Sequence, residues 1–278
     1  LAKVWITKGA SEIEPLRSFY TQLRERQLPF ATPLISEVLE TQVGTAVSIE
    51  EALKGIPLKD LLDREPDNET LLEKGIIAAA SVVEALNSVG DLPAARGLPI
   101  LGASSLWTPN SSWGTVLSNL VTIRVNRYKD VVSRSVSNLE KKVTHIVSLL
   151  KSLSVTHMGI VHGDICTPNV LVDESSFVPT GLLDFGFLST SADPLFDAVI
   201  STLIFDMYSS HAQEVRRRLH KIYSQKWGQQ FAGVYPLYKA AYALATSNAY
   251  SEEGDDGHFR WCVDILNDEE TGALVAQA

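Results

Sequence analysis

The chain has 278 residues and is poor in cysteine, with only Cys166 and Cys262. Two cysteines cannot build the disulfide framework of a small secreted protein, so a reducing, cytoplasmic compartment is expected. Long apolar runs are also missing. The longest one, residues 75–86, contains Glu84 and is too short to cross a bilayer. We therefore expect no membrane partner.

Basic residues are in the minority, with 24 Lys and Arg against 33 Asp and Glu, which gives a net charge of −9. A general nucleic-acid binder needs a basic face to displace counterions, so no nucleic-acid partner is expected. The acidic balance suits a cationic small molecule instead. Hydrophobic residues make up 45% of the chain, which is enough for a sizeable core and excludes the disordered and fibrous classes.

Strand patterns gather at the start of the chain. Residues 1–6, 34–39 and 46–49 alternate or cluster apolar residues as short strands do. Between the first two, apolar residues recur at helical spacing. Ser11 is the predicted N-cap of this helix, and Glu14, three residues later, completes a capping-box spacing.

The rest of the chain reads mainly as helix. Gly55 and Pro57 mark a linker between the strand-rich start and this larger part. Helices are predicted over residues 68–89, 113–124 and 128–153, and again after Asp193. A polar block at residues 159–187 interrupts them, and its two short apolar runs predict a β-hairpin.

The polar block carries the strongest chemical signal in the chain. It contains Asp164 in the run His-Gly-Asp, then Asn169, and finally Asp184 in the run Asp-Phe-Gly after the predicted hairpin. The sequence therefore predicts that two carboxylates and an amide oxygen lie close together at one edge of a cleft. Hard oxygen ligands of this kind suit Mg²⁺ that is completed by substrate phosphates. A spare carboxylate beside the metal can accept a hydroxyl proton, as phosphoryl transfer to an alcohol requires.

These elements, HGDxxxxN followed by DFG, resemble the catalytic and metal-binding loops of the aminoglycoside phosphotransferase family of antibiotic and small-alcohol kinases. Protein kinases carry Arg where this chain has Gly163, and Gly there favours the small-molecule branch. The runs at residues 51–55 and 193–197 resemble the same family in the same order. The resemblance implies an α+β, protein-kinase-like fold with two lobes. Residues 1–54 would be part of the nucleotide-binding lobe, and residues 55–278 a helical lobe with the catalytic loop and the acceptor pocket.

The resemblance also implies roles for single residues. Asp164 would be the catalytic base, or would orient the acceptor hydroxyl, as an exposed carboxylate in a cleft. Asn169 and Asp184 would be the Mg²⁺ ligands. His162 is expected to hold the catalytic loop rather than to transfer a proton, and Asp197 to accept backbone N–H groups from that loop.

Lys3, centred in the first predicted strand, is the candidate for the lysine that neutralises the nucleotide phosphates. A helix carboxylate would orient it. Glu12, whose spacing places it with the apolar residues of its helix, fits better than Glu14, which capping already explains. In the family, the backbone of the segment at Glu51 and Leu53 reads the edge of the nucleotide base; an ordinary linker is the alternative.

The family pattern places two strands and a phosphate-covering loop before the strand of Lys3, and we expect such a part upstream of Leu1; loss of this nucleotide lid is the alternative. At the other end, residues 251–270 carry many acids, with Arg260 as the one base. In related antibiotic kinases, C-terminal helices contribute carboxylates to the acceptor pocket. A solvated acidic surface is the alternative.

The sequence therefore predicts a cytoplasmic enzyme that uses ATP or GTP with Mg²⁺ to phosphorylate a hydroxyl of a small molecule, with an aminoglycoside-like cationic antibiotic as the favoured acceptor. Two alternatives stay open. One is a metabolic kinase of choline, homoserine or a sugar, and the other is a catalytically inactive kinase fold that acts as a binding module. The oligomeric state is not predicted.

Overall fold

The structure is a computed structural model that describes residues 1–6, 8–41, 44–103 and 106–276. The chain forms two compact units. The first comprises Leu1–Pro99 and His157–Ile222, and the second comprises Ile100–Thr156 and Tyr223–Ala278. The boundary predicted between residues 54 and 55 falls inside the first unit. The predicted nucleotide-binding residues and the catalytic loop therefore belong to one compact body.

The predicted strands at the start of the chain form an antiparallel sheet. Its strands are β1 (Ala2–Trp5), β2 (Ile35–Glu40) and β3 (Ala46–Glu50), in the order β1-β3-β2. Lys3 lies directly opposite Ser48 in the β1–β3 pair. Because side chains alternate between the two faces of a strand, Lys3 and Trp5 share one face with Ser48 and Glu50.

The helix predicted between the first two strands is confirmed as α1 (Ala10–Arg24), which packs against this sheet, but it begins at a different residue from the one predicted. Its N-cap is Gly9 rather than Ser11, and the Glu12 carboxylate accepts the N–H of Gly9 at 3.0 Å. The capping acid is therefore Glu12 and not Glu14. The prediction was wrong because Ser11 already lies inside the helix, so the acid three residues after the true cap is Glu12.

The remaining elements follow in chain order: β4 (Ile56–Pro57), α2 (Leu58–Arg64), α3 (Glu69–Asn87), α4 (Pro93–Arg96), α5 (Trp113–Val132), α6 (Leu139–Ser152), β5 (Gly159–Val161), β6 (Val170–Val172), β7 (Pro179–Leu182), β8 (Thr190–Ala192), α7 (Leu195–Ile204), α8 (Ala212–Thr246), α9 (Gly257–Asn267) and α10 (Glu269–Ala276). Helix α8 begins in the first unit and ends in the second. The helix predicted over residues 68–89 is confirmed by α3, and the predicted hairpin by β6 and β7.

The continuous helix predicted over residues 128–153 is wrong. Helix α5 reaches Val132 with a break at Tyr128, and α6 starts only after Asn138, whose backbone is left-handed with φ 52°. The segment between them, residues 133–138, contains alternate serines. Serine and asparagine side chains compete with the helix for backbone hydrogen bonds, which explains why the apolar spacing alone overestimated the helix.

Short buried strands in the first unit place the polar block. Strand β6 pairs with β4 on one side and β7 on the other, and β5 pairs with β8. The chain passes from β5 into the loop at residues 162–169, then through the β6–β7 hairpin to Asp184. The predicted catalytic and metal-binding residues therefore stand just beyond the ends of buried strands, where rigid backbone fixes them.

The second unit is formed by α5, α6, the end of α8, α9 and α10. Gly114 lies where α5 meets the end of α6, and a Cβ there would lie 2.0 Å from the carbonyl oxygen of Leu150. Glycine thus permits the close approach of these two helices. Within the described residues, we find no helix with both the length and the apolar character needed to cross a membrane.

Candidate active site

A buried carboxylate holds the backbone of the catalytic loop. Asp197, in the first turn of α7, accepts the backbone N–H of His162 at 2.6 Å and that of Gly163 at 2.7 Å. Burial raises the pKa of Asp197 to about 7, although the two N–H donors act in the opposite direction. The predicted support role of Asp197 is confirmed by these contacts.

His162 connects the catalytic loop to the segment that carries Asp184. Its Nδ1 accepts the N–H of Asp164 at 3.1 Å, so the proton is on Nε2, which donates to the carbonyl of Leu183 at 2.7 Å. Burial lowers the pKa of His162 to about 4. The ring is therefore neutral near pH 7 and holds the loop, which agrees with the structural role expected for it.

Gly163 is required by its surroundings. Its backbone has a φ of 79°, and a Cβ at this position would lie 2.2 Å from the Cβ of Leu188. Both the left-handed backbone and the contact exclude a side chain. Gly163, which in the sequence favours a small-molecule kinase over a protein kinase, is therefore also required by the local packing.

Asp164 and Asn169 form a hydrogen-bonded pair. The Asn169 amide nitrogen donates to the backbone carbonyl of Asp164 at 2.9 Å and to its Oδ2 at 3.1 Å. Both partners are acceptors, so the nitrogen must face them and Oδ1 of Asn169 is left as a possible metal ligand. Asp164 is half-buried rather than exposed as expected, and burial raises the pKa of its carboxyl group.

The structure brings Lys3 to Asp184. The two side chains are 4.0 Å apart, between Nζ and Oδ1, and both are substantially exposed. Asp184 has a left-handed backbone, with φ 57°. Such a conformation is uncommon outside glycine and is often found at functional sites. The sequence predicted both residues separately, and the fold places them together.

The donor atoms of this cluster fit a magnesium ion. Asp184 supplies an exposed carboxylate, and Asn169 supplies an amide oxygen whose orientation is fixed by two hydrogen bonds. Two hard oxygen ligands are too few for a cage made by protein alone. Mg²⁺ commonly binds in this way, with phosphates and water as its other ligands.

Glu12 is not placed as predicted. It is exposed, and its carboxylate caps its own helix instead of facing Lys3. The buried side chains of α1 are all apolar or aromatic: Ile13, Leu16, Phe19, Tyr20 and Leu23. This stripe begins at Ile13, one residue after Glu12, which turns the acid away from the core. The alternative, Glu14, is also exposed and pairs with Arg17.

Glu50 lies on the same strand face as Lys3. This residue ends β3, and its Oε1 accepts the hydroxyl hydrogen of Ser48 at 2.6 Å. Ser48 in turn accepts the indole N–H of Trp5 at 2.9 Å. The strand predicted from sequence ended at residue 49 and did not include Glu50, and only the pairing register shows that Lys3 and Ser48 lie opposite each other.

The linker residues Glu51 and Leu53 border a cavity of about 710 Å³ that is also lined by Phe30 and Thr180. The Glu51 side chain forms an ion pair with Arg24 of α1, and this guanidinium holds the pKa of Glu51 below its usual range. The carboxylate is therefore engaged with the helix. Recognition of a nucleotide base by the backbone of this segment stays a prediction.

A basic side chain of a small antiparallel sheet thus lies beside the aspartate that follows the hairpin, as the resemblance to the kinase-like phosphotransferases implies. The chain belongs to the phosphotransferase enzyme family (APH), whose family model matches residues 7–237. The predicted family is confirmed, and the protein is a phosphotransferase with an alcohol group as acceptor. A comparison with curated proteins gave no match.

Solved structures of similar fold are aminoglycoside phosphotransferases. A thermostable mutant of APH(4)-Ia in ternary complex with ADP and hygromycin B is 17% identical, with a TM-score of 0.68 over 100% of this chain and 86% of that chain. APH(3'')-Id from Streptomyces rimosus with ADP and streptomycin is 17% identical, with a TM-score of 0.52 over 88% and 86%. A GDP complex of an aminoglycoside 2'-phosphotransferase is 16% identical, with a TM-score of 0.58 over 95% and 82%. The predicted α+β kinase-like fold is confirmed.

Proposed function

We propose that this phosphotransferase transfers the γ-phosphoryl group of ATP or GTP to a hydroxyl group of a small molecule. The observation that carries the proposal is that Lys3 lies 4.0 Å from Asp184, in the same compact unit as the hydrogen-bonded pair of Asp164 and Asn169. A cation for phosphates, oxygen ligands for a metal and a carboxylate for a hydroxyl are the groups that phosphoryl transfer needs. The ADP and GDP in structures of similar fold support a nucleotide as the donor.

Each residue has a defined task in this reaction. Lys3 binds phosphate oxygens of the nucleotide, and Asp164 orients the acceptor hydroxyl and takes its proton. The side-chain amide of Asn169 donates a hydrogen bond to Oδ2 of Asp164, and this bond fixes the plane of the carboxylate. Burial raises the pKa of Asp164, which makes it a better proton acceptor than an exposed aspartate. Mg²⁺, when held by Asn169 and Asp184, would offset negative charge on the phosphates.

Most of the rate enhancement in the proposed reaction comes from the positioning of the reacting groups. The catalytic loop is fixed by Asp197 and by His162, and neither side chain needs to move during the reaction. Phosphoryl transfer requires little covalent chemistry from the protein, so a rigid loop that holds Asp164 in line with the phosphate is the main catalytic device.

The acceptor in this proposal is cationic and aminoglycoside-like. The net charge of −9 favours a cation, and the hygromycin B and streptomycin in the similar structures support this class. Transfer would take place in the cytoplasm, where nucleoside triphosphates are available.

Only some of the C-terminal acids are available for such a ligand. Glu252 pairs with Arg127 at 2.6 Å, and Asp256 caps α9 by accepting the N–H of Phe259. Asp268 and Glu270 pair with Lys239, which leaves four acids of residues 251–270 that, among the described residues, neither pair with a basic side chain nor cap a helix: Glu253, Asp255, Asp264 and Glu269. Carboxylates without a basic partner are the kind of group that pairs with the ammonium groups of a cationic ligand.

The test is release of ADP or GDP with a panel of acceptors. The panel contains aminoglycosides, choline, homoserine and simple sugars, each with and without Mg²⁺. We expect Mg²⁺-dependent nucleotide release that rises severalfold or more with an aminoglycoside. Release with choline, homoserine or a sugar instead would make the protein a metabolic kinase. No Mg²⁺-dependent nucleotide binding at all would contradict the proposed function and favour an inactive kinase fold.

A further inference from the structure

Ser189 is a fully buried serine that directly precedes strand β8. In the antiparallel β5–β8 pair, Val161 lies opposite Thr190, so the next residues beyond this end of the pair are His162 and Ser189. The pairing of the two strands thus brings Ser189 beside the start of the catalytic loop. A buried hydroxyl group is costly unless it is hydrogen-bonded, so the partners of this side chain define its role.

The hydroxyl group of Ser189 joins two segments of the site. It donates to the backbone carbonyl of His162 at 2.9 Å and accepts the backbone N–H of Gly186 at 2.8 Å. A carbonyl can only accept and an N–H can only donate, so the single hydrogen of the hydroxyl group must point to His162. Ser189 therefore connects the catalytic loop to the Asp-Phe-Gly segment, which begins with Asp184.

Asp184 lies between two residues that are anchored to His162. Before it, the carbonyl of Leu183 accepts a hydrogen bond from the ring of His162 at 2.7 Å. After it, Gly186 is anchored through the hydroxyl group of Ser189. Substitution of Ser189 by alanine would release the second anchor and leave the first one intact.

The side chain of Asp184 does not fix its own position. It is 68% exposed, and its contact with Lys3 is long, at 4.0 Å. Its backbone is left-handed, with a φ of 57°. At residues other than glycine, such a conformation persists only where the surrounding structure determines it. The backbone anchors on either side of Asp184 therefore set the direction of its carboxylate.

We propose that Ser189 is the positioning residue for the metal ligand Asp184. Its hydroxyl group holds Gly186 against the catalytic loop, which carries Asn169, and so keeps the two predicted Mg²⁺ ligands at a fixed separation. Residues that orient metal ligands without touching the metal contribute to metal affinity. This inference rests on the proposed function, because it concerns the site in which Mg²⁺ binds with the nucleotide.

The test compares Ser189→Ala with Ser118→Ala, which makes the same change at another fully buried serine. The hydroxyl group of Ser118 donates to the carbonyl of Thr115 within helix α5 of the second unit. Each variant and the wild type are titrated with Mg²⁺ at a fixed concentration of AMP-PNP or GMP-PNP, whichever the wild type binds. The Mg²⁺ concentration that gives half of the full gain in nucleotide affinity should rise about tenfold in Ser189→Ala. It should not change in Ser118→Ala, and neither variant should alter nucleotide binding in EDTA.

A double variant shows whether Ser189 acts through Asp184. Asp184→Ala removes the ligand itself, so adding Ser189→Ala to it should cause no further loss of the Mg²⁺ effect. A measurement without metal follows the anchor directly: by NMR, the amide hydrogen of Gly186 should exchange with solvent faster in Ser189→Ala than in the wild type. If Ser189→Ala does not fold, Ser189→Cys replaces it, because a thiol is a small group that hydrogen-bonds only weakly.

The outcomes distinguish this inference from the proposed function. If Asp184→Ala removes the Mg²⁺ effect but Ser189→Ala keeps the Mg²⁺ requirement of the wild type, Ser189 has no positioning role and the proposed function stands. The inference is also overturned if Gly186 exchanges at an unchanged rate, or if Ser189→Ala weakens nucleotide binding further in the double variant. If the wild type binds neither analogue with Mg²⁺, the proposed function fails and this inference fails with it.

Discussion

At the scale of the residue, His162 shows how burial fixes a protonation state. Both ring nitrogens are used, one as acceptor from Asp164 and one as donor to Leu183, and the ring has no access to solvent. A charged ring would lose the contact at Nδ1 and would be buried without a counter-ion. The structure of the loop therefore depends on a neutral histidine.

This dependence predicts how stability responds to acid. The pKa of His162 is lowered from its ordinary value of 6.5 to about 4, so between these values the unfolded chain binds a proton that the folded chain does not. Folding stability from this group is complete above pH 6.5 and is lost as pH falls towards 4. In His162→Gln this loss is absent. The difference in the free energy of unfolding between the wild type and this variant should therefore shrink by about 2 kcal/mol between about pH 7.5 and pH 5.

The comparison uses urea unfolding of both proteins at the two pH values. Asp197 also titrates in this range, because its pKa is raised to about 7 and its contribution changes in the opposite direction. It is present in both proteins, so it cancels in the difference. A gap that stays constant between the two pH values would show that His162 is not held neutral.

Asp184 gives a second prediction at this scale. It is the most exposed member of the cluster, and its one ion pair, with Lys3, is long at 4.0 Å. Asp184→Ala should therefore lower stability only modestly, since exposed ion pairs contribute about 1 kcal/mol or less and alanine in the left-handed backbone of this position costs about 1 kcal/mol. It should abolish most of the Mg²⁺-dependent part of nucleotide binding. Nucleotide titrations with Mg²⁺ and with EDTA measure this, and an unchanged Mg²⁺ effect would place the metal elsewhere.

At the scale of the element, Lys239 holds three helices of the second unit together. It lies on α8 with a side chain that is 1% exposed, and it pairs with Asp268 at 2.7 Å and with Glu270. Asp268 ends α9, and Glu270 lies in the first turn of α10. A buried ammonium with two carboxylates is costly to disrupt because the partners lose their counter-charge.

Lys239→Met should therefore destabilise the protein by about 2 kcal/mol, a value below that of a fully buried pair because both carboxylates keep partial access to water. Lys141→Met, at an exposed position of α6, is the matched control and should stay within about 0.5 kcal/mol of the wild type. Chemical denaturation measures both. Equal stability of the two variants would show that Lys239 contributes nothing as a link between helices.

Elements with one dominant signal were predictable from sequence. Helix α3 has an apolar stripe between Asn68, whose side chain caps it, and Gly90, whose backbone is left-handed, and its bounds agree with the prediction within two residues. Where two signals competed, the prediction failed. Ser11 resembles an N-cap as well as Gly9 does, and the serines before Asn138 end a helix that the apolar spacing would continue.

At the scale of the whole molecule, residues chosen from short motifs make contacts with one another, such as the Asp164–Asn169 pair, whereas the residue chosen from helical spacing, Glu12, lies on the surface. Asp164, Asn169 and Asp184 were predicted from motifs whose parts are close in sequence. The helix carboxylate expected beside Lys3 is not found there, because its position depends on which side of α1 packs against the sheet. Glu12 was chosen from helical spacing alone, and an error of one residue in the start of the buried stripe moved it to the surface.

The role of Asp164 is tested by comparing phosphoryl transfer by Asp164→Asn with phosphoryl transfer by the wild type. The substitution keeps an oxygen for the Asn169 hydrogen bond and removes a half-buried charge, so folding and nucleotide affinity should be retained. The rate of acceptor phosphorylation should fall by about 100-fold or more, because the proton acceptor is lost. A variant that binds nucleotide and transfers phosphate at a rate near that of the wild type would contradict the role of Asp164 and the account built on it.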